Sequence, residues 1–313
     1  MSEALLGYLL ASVALVLFTS SILVTKVASS RINIGLGFLI ATSTNVVFAS
    51  LAFGLQLWLR PEGVAWSWRG FMLFALAGAF STYLGRWFFY ESVVRFGPSR
   101  ASVFQVSSPL FTAMMAWLLL GEALTLLLLA GMLVTIAGLM LVSYKPGFFA
   151  ASPVSAELKT PARTMRERLF QSVFLLGLGS SLAYAIGNVM RGSGIRAWNE
   201  PVLGALLGAV IGLALHLGFS SGKREMLAGL RSASRSGLWL YALLGVTTIA
   251  AQMSAIAAMR YIPLSVATLV TLCTPVLVFP LSHLLFKNSE EISRTTLIGC
   301  ALTLLGIFII VLR

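Results

Sequence analysis

Ten apolar runs, each long enough to cross a bilayer, constrain this chain more than any other feature. They cover residues 5–27, 36–59, 70–92, 101–120, 124–144, 169–190, 201–219, 237–259, 264–286 and 295–312. Spanning a hydrocarbon core of about 30 Å takes roughly 20 helical residues. Lipid offers no partner to an open backbone, so runs of this length are helices and not unpaired strands. Gly, Ala, Ser and Thr recur among their Leu, Val and Phe, and small residues let membrane helices approach closely. The soluble alternative fails on composition: 58% of residues are hydrophobic and 10% charged, whereas a soluble domain is about 25% charged. An all-α integral membrane protein of ten transmembrane helices is expected, with the lipid bilayer as its first partner.

The first run is too long for a cleaved signal peptide and has no basic flank before it. Cys273 and Cys300 fall inside apolar runs, where they suit packing better than a disulfide or a metal. The net charge of +12 is spread over many short loops. That distribution fits membrane orientation and not a nucleic-acid face. No cofactor or metal motif is present.

The two halves resemble each other. Lys26 and Arg31 close the first run, and Arg191 and Arg196 close the sixth, 165 positions later. VRFGPS (94–99) matches MRYIPL (259–264) at the same offset. Pro109 corresponds to Pro275 at an offset of 166, and GMLVTIAG (131–138) to GCALTLLG (299–306) at 168. The drift fits the insertion KNSEE (287–291) where the first half has only GE (121–122). This divides the chain into a first repeat (1–144), a polar linker (145–168) carrying Pro146, Pro153 and Pro161, and a second repeat (169–313). Five crossings are an odd number, so the second half enters from the opposite face and the repeats are inverted. Inverted repeats around a midplane site are the architecture of secondary transporters.

SPLFTAMMAWLLLGEALT (108–125), with its proline, apolar run and Gly-Glu pair, resembles the EamA-like repeat of the drug/metabolite transporter superfamily. TPVLVFPLSHLLFKNSEEIS (274–293) is its degraded partner. The basic residues Lys26 and Arg191 also fit the family pattern. The resemblance implies a ten-helix carrier with a central cavity lined by helices 1, 3, 4, 6, 8 and 9. Its members export amino acids and other metabolites, or move nucleotide sugars or triose phosphates. Many are drawn with both termini in the cytoplasm.

The charge count disagrees on the last point. Loops after odd-numbered runs hold 15 Lys and Arg; the opposite side holds six, namely Arg60, Arg69, Arg191, Arg196, Arg260 and Arg313. Since Lys and Arg favour the cytoplasm, the bias places both termini outside.

Arg86 stands within the third run. A charge at the bilayer centre costs roughly 2.5–3.5 kcal/mol on insertion scales, so it is rare and usually functional. Snorkelling to the headgroups is the alternative. Glu91 lies about 140° around the helix from Arg86 and pairs better with Arg95, four residues on. Thr82, Tyr83 and Tyr90 share the face of Arg86 in an α-helix, forming a polar stripe. Thr248 and Gln252 repeat the spacing of Thr82 and Arg86 in the other half. The expected substrate site is therefore Arg86, Tyr83, Tyr90, Thr82, Gln105, Tyr184, Asn188, Thr248 and Gln252, taking a small molecule with a carboxylate or other anionic group. For the polar residues, helix–helix hydrogen bonding is the plainer alternative. Pro109 and Pro275 are candidate hinges, because proline removes a backbone donor within a helix; static kinks are the alternative. Glu122 is expected to favour the start of the fifth helix, and His216 and His283 to be packing residues.

These readings converge on a secondary transporter of small metabolites, an exporter of amino acids or related compounds in a bacterial inner membrane. A carrier of phosphorylated or lipid-linked sugars is the alternative within transport. No Walker loop points to ATP. An intramembrane enzyme would need a nucleophile–base or metal constellation, and neither H-E-x-x-H nor G-x-S-x-G occurs. A non-transporting scaffold fits the polar stripe poorly.

Overall fold

The computed structural model describes residues 2–32, 34–60, 62–89, 92, 105, 107–123, 125–143, 173–219, 229–230, 233–274, 276–278, 281, 284 and 294–311 of the chain. Among these, ten helices follow in order: α1 Glu3–Ala28, α2 Ile34–Leu59, α3 Trp68–Ala77, α4 Ser108–Leu120, α5 Leu126–Ser143, α6 Val173–Ala197, α7 Pro201–Phe219, α8 Arg235–Ala258, α9 Leu264–Leu272 and α10 Arg294–Val311. No strand occurs among them. α3 runs directly into a π-helical segment, Gly78–Gly85, and returns to α-helix over 86–89.

Local chemistry sets several of these boundaries. The hydroxyls of Ser2, Ser67 and Ser234 accept the N–H of Leu5, Gly70 and Gly237 at 3.3, 3.1 and 3.2 Å, capping α1, α3 and α8. Pro201 opens α7, where the N–H it lacks would have no helical partner. Gly121 ends α4 at φ 66°, a left-handed conformation that favours glycine. One expectation is corrected: the sixth helix does not close at Arg191 but runs on to Ala197. Pro109 lies in the first turn of α4, after Ser107 in right-handed helical conformation and the helical Gln105. Pro275, Tyr90, Glu91, His283, the linker 145–168 and the insertion 287–291 lie outside the described residues.

The principal packings repeat when each helix is exchanged for the one five places on. α1 packs on α8 as α6 packs on α3 and its π segment; α2 packs on α8 as α7 packs on α3; α1 packs on α9 as α6 packs on α4. α7 also packs on α8, and three further pairs, α2–α7, α4–α9 and α5–α10, join equivalent helices. Each of these three pairs runs antiparallel. Phe38 near the start of α2 meets His216 near the end of α7 at 4.5 Å, while Gln56 at the far end of α2 bonds Glu200 just before α7. Glu122, just past α4, bonds the first turn of α9. In the last pair, a Cβ on Gly131 would lie 3.0 Å from the Gly306 carbonyl, and one on Gly138 would lie 2.6 Å from the Gly299 carbonyl. The repeated motif thus packs on its own copy in reverse.

The interior holds Phe74, Leu128, Met132, Leu139, Ile249 and Leu264, all buried. The outside is apolar too: Leu126 is 88% exposed, Leu51 68% and Leu118 63%. Helices apolar on both faces fit a lipid surround. Among the described residues α1, α2, α7 and α8 each carry an apolar stretch long enough to cross a membrane.

Candidate functional site

The most deeply placed charge among the described residues is Arg191, six residues before the end of α6 and 9% exposed. Its guanidinium joins both halves. Nη2 donates to Ser81 Oγ of the π segment at 2.5 Å, and Nη1 to Asn188 Oδ1 one turn back on α6 at 3.3 Å. The Gln252 carboxamide of α8, with its oxygen turned inward as its surroundings require, accepts from Nη1 at 3.0 Å, from Nε at 3.3 Å and from Nη2. Every one of these acceptors is neutral. The described ion pairs, Arg60–Glu200 and Arg196–Glu122, lie elsewhere.

The sequence builds this cluster through small residues. A Cβ on Gly187 would sit 2.5 Å from Ser81 Cβ, so glycine there lets α6 press against the π segment. Ser81 sends its own hydroxyl proton to the Ala77 carbonyl at 2.9 Å, leaving its lone pairs for Arg191. A second relay lies beside the first: Gln105 Nε2 donates to Ser180 Oγ at 2.6 Å, and Ser180 Oγ donates to the Gly85 carbonyl at 2.8 Å. The Tyr184 ring closes on Gly85, where a Cβ would lie 3.1 Å away.

The structure thus gathers Asn188, Gln252, Tyr184 and Gln105 around or beside one centre. It adds three residues that sequence reading assigned to no site: Arg191, Ser81 and Ser180. Three members of the stripe expected on the third helix, Thr82, Tyr83 and Arg86, lie toward α7. Thr82 is buried against α7, where a Cβ on Gly212 would meet its side chain at 2.5 Å. Tyr83 lies 6.0 Å from the Phe219 ring. Arg86 stands over the Phe38 ring at 5.2 Å, beside the Phe38–His216 contact. Thr248 donates to the Leu244 carbonyl within its own helix at 2.6 Å. Asn45 shows the plainer role of a polar side chain: with its amide nitrogen turned to Gly245 O at 2.7 Å, it ties α2 to α8.

Chemically, the cluster offers a planar guanidinium with five N–H donors in a setting without a described carboxylate. Such a group binds carboxylate or phosphate oxygens by paired, charge-assisted hydrogen bonds. Among the described residues no group of His, Cys, Asp or Glu is placed to hold a metal. A groove of about 280 Å³ bordered by Arg69, Leu120, Ser193 and Arg196 lies toward one end and includes none of the partners of Arg191.

The EamA-like transporter family matches residues 5–144 and again residues 171–312. A solved structure described only as "Crystal structure of protein" superposes with a TM-score of 0.71, covering 99% of this chain and 96% of its own at 18% identity. Likeness at that identity speaks for the fold alone. No curated protein matches the chain. Two copies of the family unit and the apolar helices identify an integral, multi-pass membrane protein, and the chain belongs to the EamA-like transporter family.

Proposed function

We propose that the protein is a secondary carrier that exports small metabolites, amino acids or related compounds, by alternating access between two inverted repeats around a central cavity. One observation carries this reading: Arg191 is buried where the π segment, α6 and α8 meet, and only neutral oxygens hold it. An ionised group kept away from water without a counter-charge is unstable as pure scaffolding. It becomes reasonable if an anionic group of the cargo completes it. Ser81, Asn188 and Gln252 then act as place-holders that an entering carboxylate displaces. Family membership supports transport as the class of activity. A bacterial inner membrane is the proposed location.

A second reading has its own support. Arg86 follows the π segment that presents Ser81 to Arg191, and no described carboxylate contacts either guanidinium. Two positive charges suit a phosphorylated or lipid-linked sugar as well as a carboxylate. Flux into proteoliposomes, with radiolabelled amino acids in one arm and sugar phosphates in another, separates the two. Arg191→Ala should lower the flux at least about tenfold, the scale of losing a charge-assisted hydrogen bond. Arg191→Lys should recover little, since an ammonium lacks the planar fork. Undiminished flux with both variants, at equal insertion, would remove the proposal.

A further inference from the structure

One carboxylate holds the end of the molecule where α4 stops and α9 begins. Glu122 follows the left-handed Gly121, and its side chain is 9% exposed. Instead of serving the start of α5, as expected, it reaches into the second half. Oε1 accepts the Leu264 N–H at 2.8 Å and Arg196 Nη2 at 2.8 Å. Oε2 accepts the Ser265 N–H at 3.2 Å and the Ser265 hydroxyl at 3.0 Å. All four donors belong to the second half, and the acceptor belongs to the first.

Elementary electrostatics explains the choice of residue. The first N–H groups of a helix lack intrahelical partners and carry the positive end of its dipole. Pro263, immediately before α9, makes no side-chain cap. Glu122 therefore supplies from the other half the negative cap that α9 lacks in its own sequence. Arg196 stands in the last turn of α6, where a cation is favoured for the converse reason. It also donates to the Leu120 carbonyl at 3.4 Å, doubling the tie to α4. Other ties join the halves at this end: Glu200 accepts from Gln56 and pairs with Arg60 at 3.6 Å, and the Trp198 indole donates to the Ala65 carbonyl at 2.7 Å.

The geometry points to Glu122 as the latch of one mouth of the carrier, a gating residue whose four bonds seal the two halves at this end and release together when the end opens. The inference rests on the alternating-access reading above. A carboxylate suits the task because its bonds are strong only while all the donors converge on it. Separation of α4 from α9 leaves its charge, the α9 amides and Arg196 to water.

The test uses two reporters in a C273A/C300A background. Thr268, 1% exposed, lies one turn inside the latch on α9, and Ser108, 0% exposed, lies at the opposite end of α4. T268C and S108C are labelled with a membrane-impermeant maleimide in proteoliposomes made accessible from both sides. Glu122→Gln keeps the size but turns an amide NH2 toward other donors. It should raise the T268C labelling rate about tenfold, as expected from weakening a charge-assisted hydrogen bond, and leave S108C unchanged or slower. Ser265→Ala, which removes one donor only, should produce a smaller rise of the same sign. Unchanged T268C labelling in both variants overturns the latch, and so does faster labelling at both ends, which marks general loosening. Flux is scored separately. A protein that carries nothing yet responds at T268C refutes the transport reading and keeps the latch, whereas a working carrier with indifferent T268C does the reverse.

Discussion

At the scale of single residues, the question is what a buried guanidinium does with neutral partners. Gln252 provides a decisive substitution. Gln252→Leu removes the acceptor shared by three nitrogens and should destabilise the fold by about 1–3 kcal/mol, the penalty for orphaning a buried polar donor. This is read as a lower thermal midpoint in detergent. Gln252→Glu places a permanent carboxylate against Arg191. It should keep the midpoint above that of Gln252→Leu while lowering flux at least about tenfold, because an internal anion competes with the cargo. A purely structural arginine predicts the opposite for flux: no loss in the Gln252→Glu variant. Asn188, Gln252, Tyr184 and Gln105 were legible as polar residues in apolar runs, but their centre was not. In the sequence Arg191 falls just past the sixth apolar run and counts among the loop charges, and Gly192, Ser193 and Gly194 follow it. Those glycines are packing notches. A Cβ on Gly192 would lie 2.9 Å from the Leu264 side chain, and one on Gly194 would lie 3.1 Å from the Phe74 ring. The signal that pointed to Arg191 was its place in the repeat, at the offset that links it to Lys26.

Among elements, the third helix keeps Thr82, Tyr83 and Arg86 toward α7 but contains a π segment that its sequence did not announce. A π segment leaves no mark in a pattern of apolar residues, yet it holds Ser81 and Thr82 and ends just before Arg86. π turns inside helices often accompany functional sites, and this one presents Ser81 to Arg191 and the Gly85 carbonyl to Ser180. The fifth and tenth helices were legible in full. Their matching glycine motifs identified the duplication, and the same glycines form the contact between them. Gly138→Val tests this contact. Its Cβ would meet the Thr303 backbone nitrogen at 2.5 Å and the Gly299 carbonyl at 2.6 Å, atoms that cannot swing aside. The expected cost is about 1–3 kcal/mol from overpacking, seen as a lower midpoint, while the same change at Gly54, with open space around its Cβ position, should leave the midpoint unmoved.

For the whole molecule, the open choice is which end faces the cytoplasm. With Arg191 buried in the bundle and set aside as a loop charge, the side that holds both termini keeps five basic residues, Arg60, Arg69, Arg196, Arg260 and Arg313, against 15 on the other. The rule that Lys and Arg stay in the cytoplasm then places both termini outside, contrary to the arrangement common in the resembling family. The same end carries the Glu122 contacts, and the ring of Trp66 against Trp198 at 5.2 Å, with the Trp198 indole N–H donating to the Ala65 carbonyl at 2.7 Å. Indoles prefer the membrane–water boundary, so this sealed end sits at an interface, and on the charge count that interface is the outer one. A carrier closed outward receives its cargo from the cytoplasm, the direction an exporter needs. A C-terminal green fluorescent protein fusion should therefore be dark and a C-terminal alkaline phosphatase fusion active in a bacterial host. A bright fluorescent fusion would reverse the orientation and turn the sealed end, with Glu122, toward the cytoplasm.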